Sequence, residues 1–211
     1  MDIRIKNLIK ENKIKILGAS KTKPLEDMYR LFNEGITIFG ENYVQELKEK
    51  YHENLPFELH FIGKIQTNKI KDIVPRVSLI HSVSRIKELE LINKECIKLN
   101  KHIDILIELS LTNEETKNGV KEDELDSLIS SLNNYPYVNF KGFMTMGPLN
   151  DNLYETEKVF IKAHEIYLKY KEQFPNIDTL SMGMSNDYEL AIKHGSTLIR
   201  LGTILFGKRI Y

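Results

Sequence analysis

Short apolar segments alternate with amphipathic ones through nearly the whole chain, and this alternation constrains the fold more than any other feature. Most of the apolar segments lack a polar face, as expected for strands that are buried on both sides. Amphipathic helical patterns separate them. The eight candidate strands cover residues 14–20, 36–40, 59–63, 79–83, 103–109, 138–146, 179–184 and 197–201. The pattern predicts a single (β/α)8 TIM-type barrel, with a doubly wound open sheet as the alternative.

The segment before the first strand predicts one additional helix. Within residues 1–13, Ile5, Leu8 and Ile9 share a face, so we expect this helix to pack on the barrel. No linker-like or low-complexity stretch divides the sequence, and we expect residues 1–211 to form one domain. The printed sequence ends at Tyr211, soon after the eighth strand, so we expect no second domain to cover the barrel.

Composition narrows the classes of partner and compartment. Lys and Arg total 30 and so do Asp and Glu, which gives no net charge to attract nucleic acid or an anionic membrane. The single cysteine, Cys96, fits a reducing compartment and lies on an apolar helix stripe, where we expect inert core. The charged start of the chain is unlike a signal peptide. We therefore expect a cytoplasmic protein without a membrane span, and a monomer because we expect no dimerisation domain.

A lysine follows the first candidate strand directly. Burial at a strand end would disfavour the charged form of Lys21, and a neutral amine can form a Schiff base with a carbonyl. Lys23 competes for this role, although Pro24 biases it toward an extended conformation. Strand alternation would place both lysines on one face, with Lys21 deeper. The alternative, that both are solvated loop lysines, stays open.

The last two strands end in loops that suit a phosphate group. Barrel enzymes often bind phosphate in the loops after strands seven and eight. Here Ser185 and Asn186 lead into a helix, whose first amides and dipole favour an anion, and Gly202 and Thr203 follow the eighth strand. Asn186 and Glu189 also resemble a capping box, so a purely structural role for this loop remains the alternative.

Arg200 lies late in the eighth strand and needs an acceptor if it is buried. That acceptor is either a strand-end carboxylate, such as Glu41 or Glu108, or a ring nitrogen of a cofactor. A guanidinium only donates hydrogen bonds, so a pyridine nitrogen beside it would be unprotonated and the ring a weak electron sink. An amine, two phosphate loops and an arginine together indicate pyridoxal 5′-phosphate (PLP), without transaminase-type chemistry.

Other candidates are weaker. His60 could line the pocket or be a hydrogen-bonded structural histidine. Asn42 could cap the helix after the second strand, and Met144 is core by default. The sequence has no cluster with metal-ligand spacing, and it lacks a Walker A or G-x-G-x-x-G loop, so we expect no metal.

Five stretches of sequence together resemble the pyridoxal phosphate homeostasis proteins, the YggS/PROSC group, which are similar to the N-terminal barrel of alanine racemase. These stretches are SKTKP from Ser20, FGENYVQE from Phe39, HFIG with QTNK from His60, SMGMS with Asp187 from Ser181, and RLGT with Phe206 and Gly207 from Arg200. The resemblance covers nearly the whole chain, although the segment before the first strand looks shorter than usual.

The resemblance implies a set of cofactor-binding residues and no defined reaction. It implies that PLP is held as a Schiff base on Lys21. It also implies further contacts between PLP and Asn42, Met144, Ser185, Arg200, Gly202 and Thr203. It implies a protein that binds PLP and regulates its level, supplying or buffering it for apo-enzymes.

Two enzymatic alternatives stay open. One is a PLP-dependent amino-acid racemase, which is disfavoured because we expect no second domain to close its active site. The other is a Schiff-base aldolase, for which we would expect the amine on a middle strand, for example at Lys141.

Overall fold

The computed structural model describes residues 1–112, 118–148 and 152–207, and across these residues eight parallel strands close into a barrel. Each strand pairs in parallel with the next, and the last pairs with the first through Leu17 and Arg200. The strands are β1 (Lys15–Ala19), β2 (Ile38–Glu41), β3 (Glu58–Phe61), β4 (Leu79–Val83), β5 (Ile103–Glu108), β6 (Val138–Met144), β7 (Thr179–Ser181) and β8 (Leu198–Leu201). This closure confirms the predicted TIM-type barrel and excludes the open sheet.

A helix follows every strand, and one more precedes the first. The helices are α1 (Ile3–Glu11), α2 (Leu25–Asn33), α3 (Val44–Lys50), α4 (Ile70–Ile73), α5 (Ile86–Leu99), α6 (Glu122–Ser131), α7 (Leu153–Gln173), α8 (Tyr188–Lys193) and α9 (Thr203–Phe206). Within the described ranges, no helix combines the length and apolar character needed to cross a bilayer.

The predicted N-terminal helix is present as α1. It begins where the Asp2 carboxylate accepts a hydrogen bond from the backbone N–H of Arg4, and it ends at Asn12 in a left-handed conformation. Its apolar face is covered, because Ile5 is fully buried and Ile9 packs against Gly35.

Side-chain alternation along the strands divides the core into two parts. On β5, the side chains of Ile103, Ile105 and Ile107 join the large apolar cluster between the strands and the helices. Leu106 points the other way and forms a separate small cluster with Leu79 and Met144, inside the barrel. Because all strands run in parallel, their carboxyl ends meet at one opening, where barrel enzymes place their chemistry.

Candidate functional site

Lys21 lies in a tight turn immediately beyond β1. The backbone N–H of Lys23 donates to the carbonyl of Ser20 at 3.0 Å, and Thr22 takes a left-handed φ of 63°. The chain has therefore left the strand before Lys21, so strand alternation does not apply to the two lysines. Both lysines are half-buried, so burial does not distinguish them. The Lys23 amino group donates to the backbone carbonyl of Phe206, at 3.3 Å.

A buried ionic cluster forms hydrogen bonds to the backbone of this turn. The Lys50 amino group donates to the Ser20 carbonyl at 2.9 Å, to Glu41 at 2.8 Å and to Glu46 at 2.8 Å. The Glu46 carboxylate also accepts from the backbone N–H of Thr22, at 2.7 Å. A β-branched residue at positive φ is strained, and such strain persists only where the surroundings enforce it. The cluster therefore fixes the backbone on both sides of Lys21.

Sequence reasoning missed this cluster. The sequence suggests Glu41 only as a partner for Arg200, but in the structure its carboxylate accepts from the Lys50 amino group and from the Ser20 hydroxyl. Burial raises the pKa of Glu41, and Lys50 opposes that rise. The spacing of Glu46 and Lys50, four residues apart on one helix, is the signal that could have revealed the pair.

The loops after β7 and β8 converge, as the phosphate hypothesis requires. The Ser185 hydroxyl oxygen lies 3.2 Å from the backbone nitrogen of Gly202 and 3.4 Å from that of Ile204, and both N–H groups point at it. The space beside Gly202 is open, since a Cβ built there would approach only Ala19, at 3.8 Å. Thr203 is exposed at the start of α9. The backbone N–H groups of Gly202 and Ile204, which both donate to the Ser185 hydroxyl, thus lie next to an open space.

The predicted capping box of Asn186 and Glu189 is not present. Helix α8 begins only at Tyr188, and its loop is shaped by Asp187, whose carboxylate accepts from the backbone N–H of Met184. Glu189 instead pairs with Arg4 and accepts from the Tyr188 hydroxyl. Because α8 is short and starts beyond Ser185, the loop amides matter more here than the helix dipole.

Arg200 is buried inside the barrel near the same opening. Its guanidinium donates to the carbonyl and hydroxyl of Ser181 at 2.9 and 2.7 Å, and to the carbonyl of Thr145 at 3.0 Å. Burial lowers the pKa of Arg200 to about 10. Among the described contacts, neither Glu41 nor Glu108 accepts a hydrogen bond from Arg200. These three bonds fix the plane of a guanidinium that has five N–H donors.

Glu108 ends β5 inside the barrel, beside Met144 on β6. Burial raises its pKa to about 7, although the charge of Arg200 acts in the opposite direction. Met144 is buried as predicted, and it lies next to this carboxyl group at the opening. Glu108 is therefore an ionisable group of the site that the sequence suggested only as a partner for Arg200.

Asn42 lies just beyond β2 at the same opening. Its side-chain oxygen is buried and has no hydrogen-bond partner within the described residues. The backbone of Asn42 packs so closely on Gly63 that a Cβ there would lie 2.0 Å from the Asn42 carbonyl oxygen. Buried acceptors are almost always paired, so an unpaired one beside an opening is typical of a ligand site.

Three other candidates lie away from the opening. His60 is buried and hydrogen-bonded to His81, which confirms the structural interpretation of this residue. Lys141, the amine of the aldolase alternative, lines a cavity at the opposite end of the barrel with Lys15 and Glu58. Cys96 is buried in the core as expected, and burial raises its pKa to about 11. In the described part of the chain no group of His, Cys, Asp and Glu could hold a metal ion.

Comparison with known proteins shows the family to which this chain belongs. The family model described as "Alanine racemase, N-terminal domain" matches residues 4–209. The pyridoxal phosphate homeostasis protein of Aquifex aeolicus is 41% identical over 204 residues, covering 95% of this chain and 90% of that protein. The corresponding protein of Pasteurella multocida is 37% identical over 207 residues, covering 95% and 89%.

A solved structure agrees with these relatives. PipY of Synechococcus elongatus without PLP superposes with a TM-score of 0.90 at 30% identity, covering 97% of this chain and 99% of that one. Its PLP-bound form gives a TM-score of 0.87 at 28% identity, covering 98% and 100%. The chain thus belongs to the pyridoxal phosphate homeostasis proteins, within the alanine racemase N-terminal domain family.

Proposed function

We propose that this protein binds PLP at the carboxyl end of its barrel, as a Schiff base on Lys21, and takes part in PLP homeostasis. The observation that carries the proposal is the convergence of Lys21, Arg200 and Gly202 at one opening. Leu17 pairs in register with Arg200, and Ala19 lies beside Gly202, so the turn after β1 and the loop after β8 are neighbours. Relatives named for PLP homeostasis and the PLP-bound form of PipY support the choice of ligand.

The residues present fit PLP group by group. When bound, PLP supplies an aldehyde that condenses with a primary amine, and Lys21 offers that amine. The amides near Ser185 and the open space beside Gly202 suit the phosphate. Asn42 has a buried acceptor that needs a donor, such as the ring hydroxyl. Arg200 can donate to the pyridine nitrogen, which must then be unprotonated.

We further propose that the protein binds and releases PLP without turning over a substrate. Arg200 is a donor and not an acid partner for the ring, so the ring is a weak electron sink and transaminase-type chemistry is disfavoured. The curated relatives are likewise named as homeostasis proteins. In this proposal residues 1–211 form one PLP-binding domain, which acts as a cytoplasmic monomer and supplies or buffers PLP for apo-enzymes.

The proposal is tested with the purified protein and two matched variants. The parent and Lys23→Ala should retain one PLP per chain after dialysis, with the absorbance of a Schiff base, whereas Lys21→Ala should lose that absorbance. Retention of the Schiff-base absorbance by Lys21→Ala would overturn the assignment. Incubation with L- or D-alanine, followed by chiral analysis, should give no sustained turnover, and sustained racemisation would favour the enzymatic alternative.

A further inference from the structure

A chain of polar side chains runs through the inside of the barrel and ends at Arg200. The Arg200 guanidinium donates to the Ser181 hydroxyl at 2.7 Å, and that oxygen lies 3.2 Å from Nδ1 of His81. Nε2 of His81 lies 3.0 Å from Nδ1 of His60, and Nε2 of His60 lies 3.5 Å from the Glu58 carboxylate. We call these five residues the axial chain.

The chemistry of its two ends fixes the direction of every hydrogen bond in the axial chain. Burial lowers the pKa of both histidines, so each ring is neutral and has one donor and one acceptor. The Glu58 carboxylate lies 3.5 Å from Nε2 of His60 and can only accept, so the assigned tautomer of His60 carries its proton on Nε2. Nδ1 of His60 must then accept from Nε2–H of His81, whose own Nδ1 accepts from the Ser181 hydroxyl. All donors in the axial chain therefore point away from Arg200.

The far end of the axial chain opens to solvent at the amino-terminal end of the barrel. The Glu58 side chain is 63% exposed, and it also accepts from the Ser78 hydroxyl at 3.0 Å. A cavity of about 170 Å³ lies at this end. The other charged groups that line it are Lys15, Asp104, Lys141 and Asp178. Glu58 is the carboxylate of this cavity that lies within 4 Å of His60.

We propose that Glu58, His60, His81 and Ser181 are positioning residues for the Arg200 guanidinium, so that a carboxylate at one end of the barrel acts on the cofactor site at the other. This inference rests on the proposed binding of PLP beside Arg200. Neutral groups that hydrogen-bond in one direction polarise one another, which strengthens each bond in a low-dielectric interior. The Ser181 hydroxyl, by donating to His81, becomes a better acceptor for the buried cation. The axial chain thus sets how firmly Arg200 is oriented toward a ring nitrogen.

The first test needs no cofactor. Nitrogen-15 NMR of the histidine rings in PLP-free protein should give His60 and His81 as neutral rings with the proton on Nε2. A proton on Nδ1 of His81 would reverse the chain and overturn the inference, whether or not the protein binds PLP. This experiment therefore separates a failure of the axial chain from a failure of the proposed function.

The second test is a double-mutant cycle on PLP binding. Ser181→Ala breaks the axial chain but leaves Arg200 its bonds to two backbone carbonyls, and it should raise the PLP dissociation constant about tenfold. Glu58→Gln should raise it about threefold, because a bond to a charged acceptor becomes a neutral one. In the double variant, Glu58→Gln should have no further effect, since the path to Arg200 is already broken.

The matched control is Asp178→Asn, a carboxylate in the same cavity that does not contact either histidine. It should leave both the PLP affinity and the absorbance spectrum of the bound cofactor unchanged, whereas Ser181→Ala and Glu58→Gln should each change that spectrum. Independent, multiplicative effects of Glu58→Gln and Ser181→Ala would contradict the inference. So would an Asp178→Asn effect as large as that of Glu58→Gln, which would indicate only a general effect of charge.

Discussion

The amino group of Lys50 on α3 lies 2.9 Å from the backbone carbonyl of Ser20, the residue immediately before Lys21. Lys50 also binds two carboxylates, so one side chain joins the turn after β1 to the end of β2 and to its own helix. The geometry of the proposed Schiff-base lysine therefore depends on a second lysine, which is buried and paired with Glu41 and Glu46.

Replacing Lys50 should destabilise the protein strongly. Lys50→Met would leave the buried Glu41 carboxylate without its counter-charge, and breaking a buried ion pair typically costs about 3–5 kcal/mol. We expect the free energy of unfolding, measured with urea, to fall by roughly that amount. Lys48→Met is the matched control on the same helix, because Lys48 is exposed and its pair with the half-buried Asp72, at 3.7 Å, should contribute less than about 1 kcal/mol. Equal losses in the two variants would contradict this account of the cluster.

Removing the Ser185 hydroxyl should weaken the binding of PLP through its phosphate. A hydrogen bond to a charged group contributes about 1.5–3 kcal/mol, so Ser185→Ala should raise the PLP dissociation constant tenfold or more. Pyridoxal, which lacks the phosphate, provides the control ligand, and its affinity should be the same for parent and variant. If the variant weakened both ligands equally, Ser185 would act on the shape of the site and not on the phosphate.

Glu108 should make the stability of the PLP-free protein fall as the pH rises. Its pKa is about 7 in the folded protein and 4.5 when unperturbed, so between these values the folded state holds a proton that the unfolded state has released. Glu108→Gln cannot lose this proton. We therefore expect the variant to gain stability relative to the parent between pH 4.5 and 7, by up to about 3 kcal/mol.

Urea unfolding of both proteins at pH 4.5 and at pH 8 measures this difference. Glu90→Gln, at an exposed position that pairs with Lys87 on α5, is the control and should show no such trend. A stability difference between parent and Glu108→Gln that is the same at both pH values would show that the carboxyl group ionises in the folded protein as it does in water.

Much of the fold could be predicted from the sequence because the strand patterns and the helix patterns favoured the same architecture. Continuous apolar strands and amphipathic helices both favoured one βα repeat, and the barrel closes as predicted. The candidate loops after β7 and β8 could be located because parallel strands bring their carboxyl ends together. What the sequence could not give was the path of the chain beyond β1, where Thr22 adopts a conformation that strand alternation does not anticipate.

The polar interior could not be predicted for a different reason. His60 and His81 lie in strands whose sequences are mostly apolar. The hydrogen bond between them depends on the register of β3 against β4, which no local sequence pattern encodes. The same holds for Arg200, whose acceptors come from β7 and from the residue after β6, and not from the carboxylates that charge alone suggested. Pairings of this kind follow from closure of the sheet, so they become visible only in the assembled fold.

The central claim is that Lys21 is the residue that holds PLP. The most direct measurement is borohydride reduction of the PLP-loaded protein, followed by proteolysis and mass spectrometry of the modified peptide. The account predicts one reduced pyridoxyl group per chain, on Lys21. A label on Lys23 or Lys141, or a label spread over many surface lysines, would contradict it.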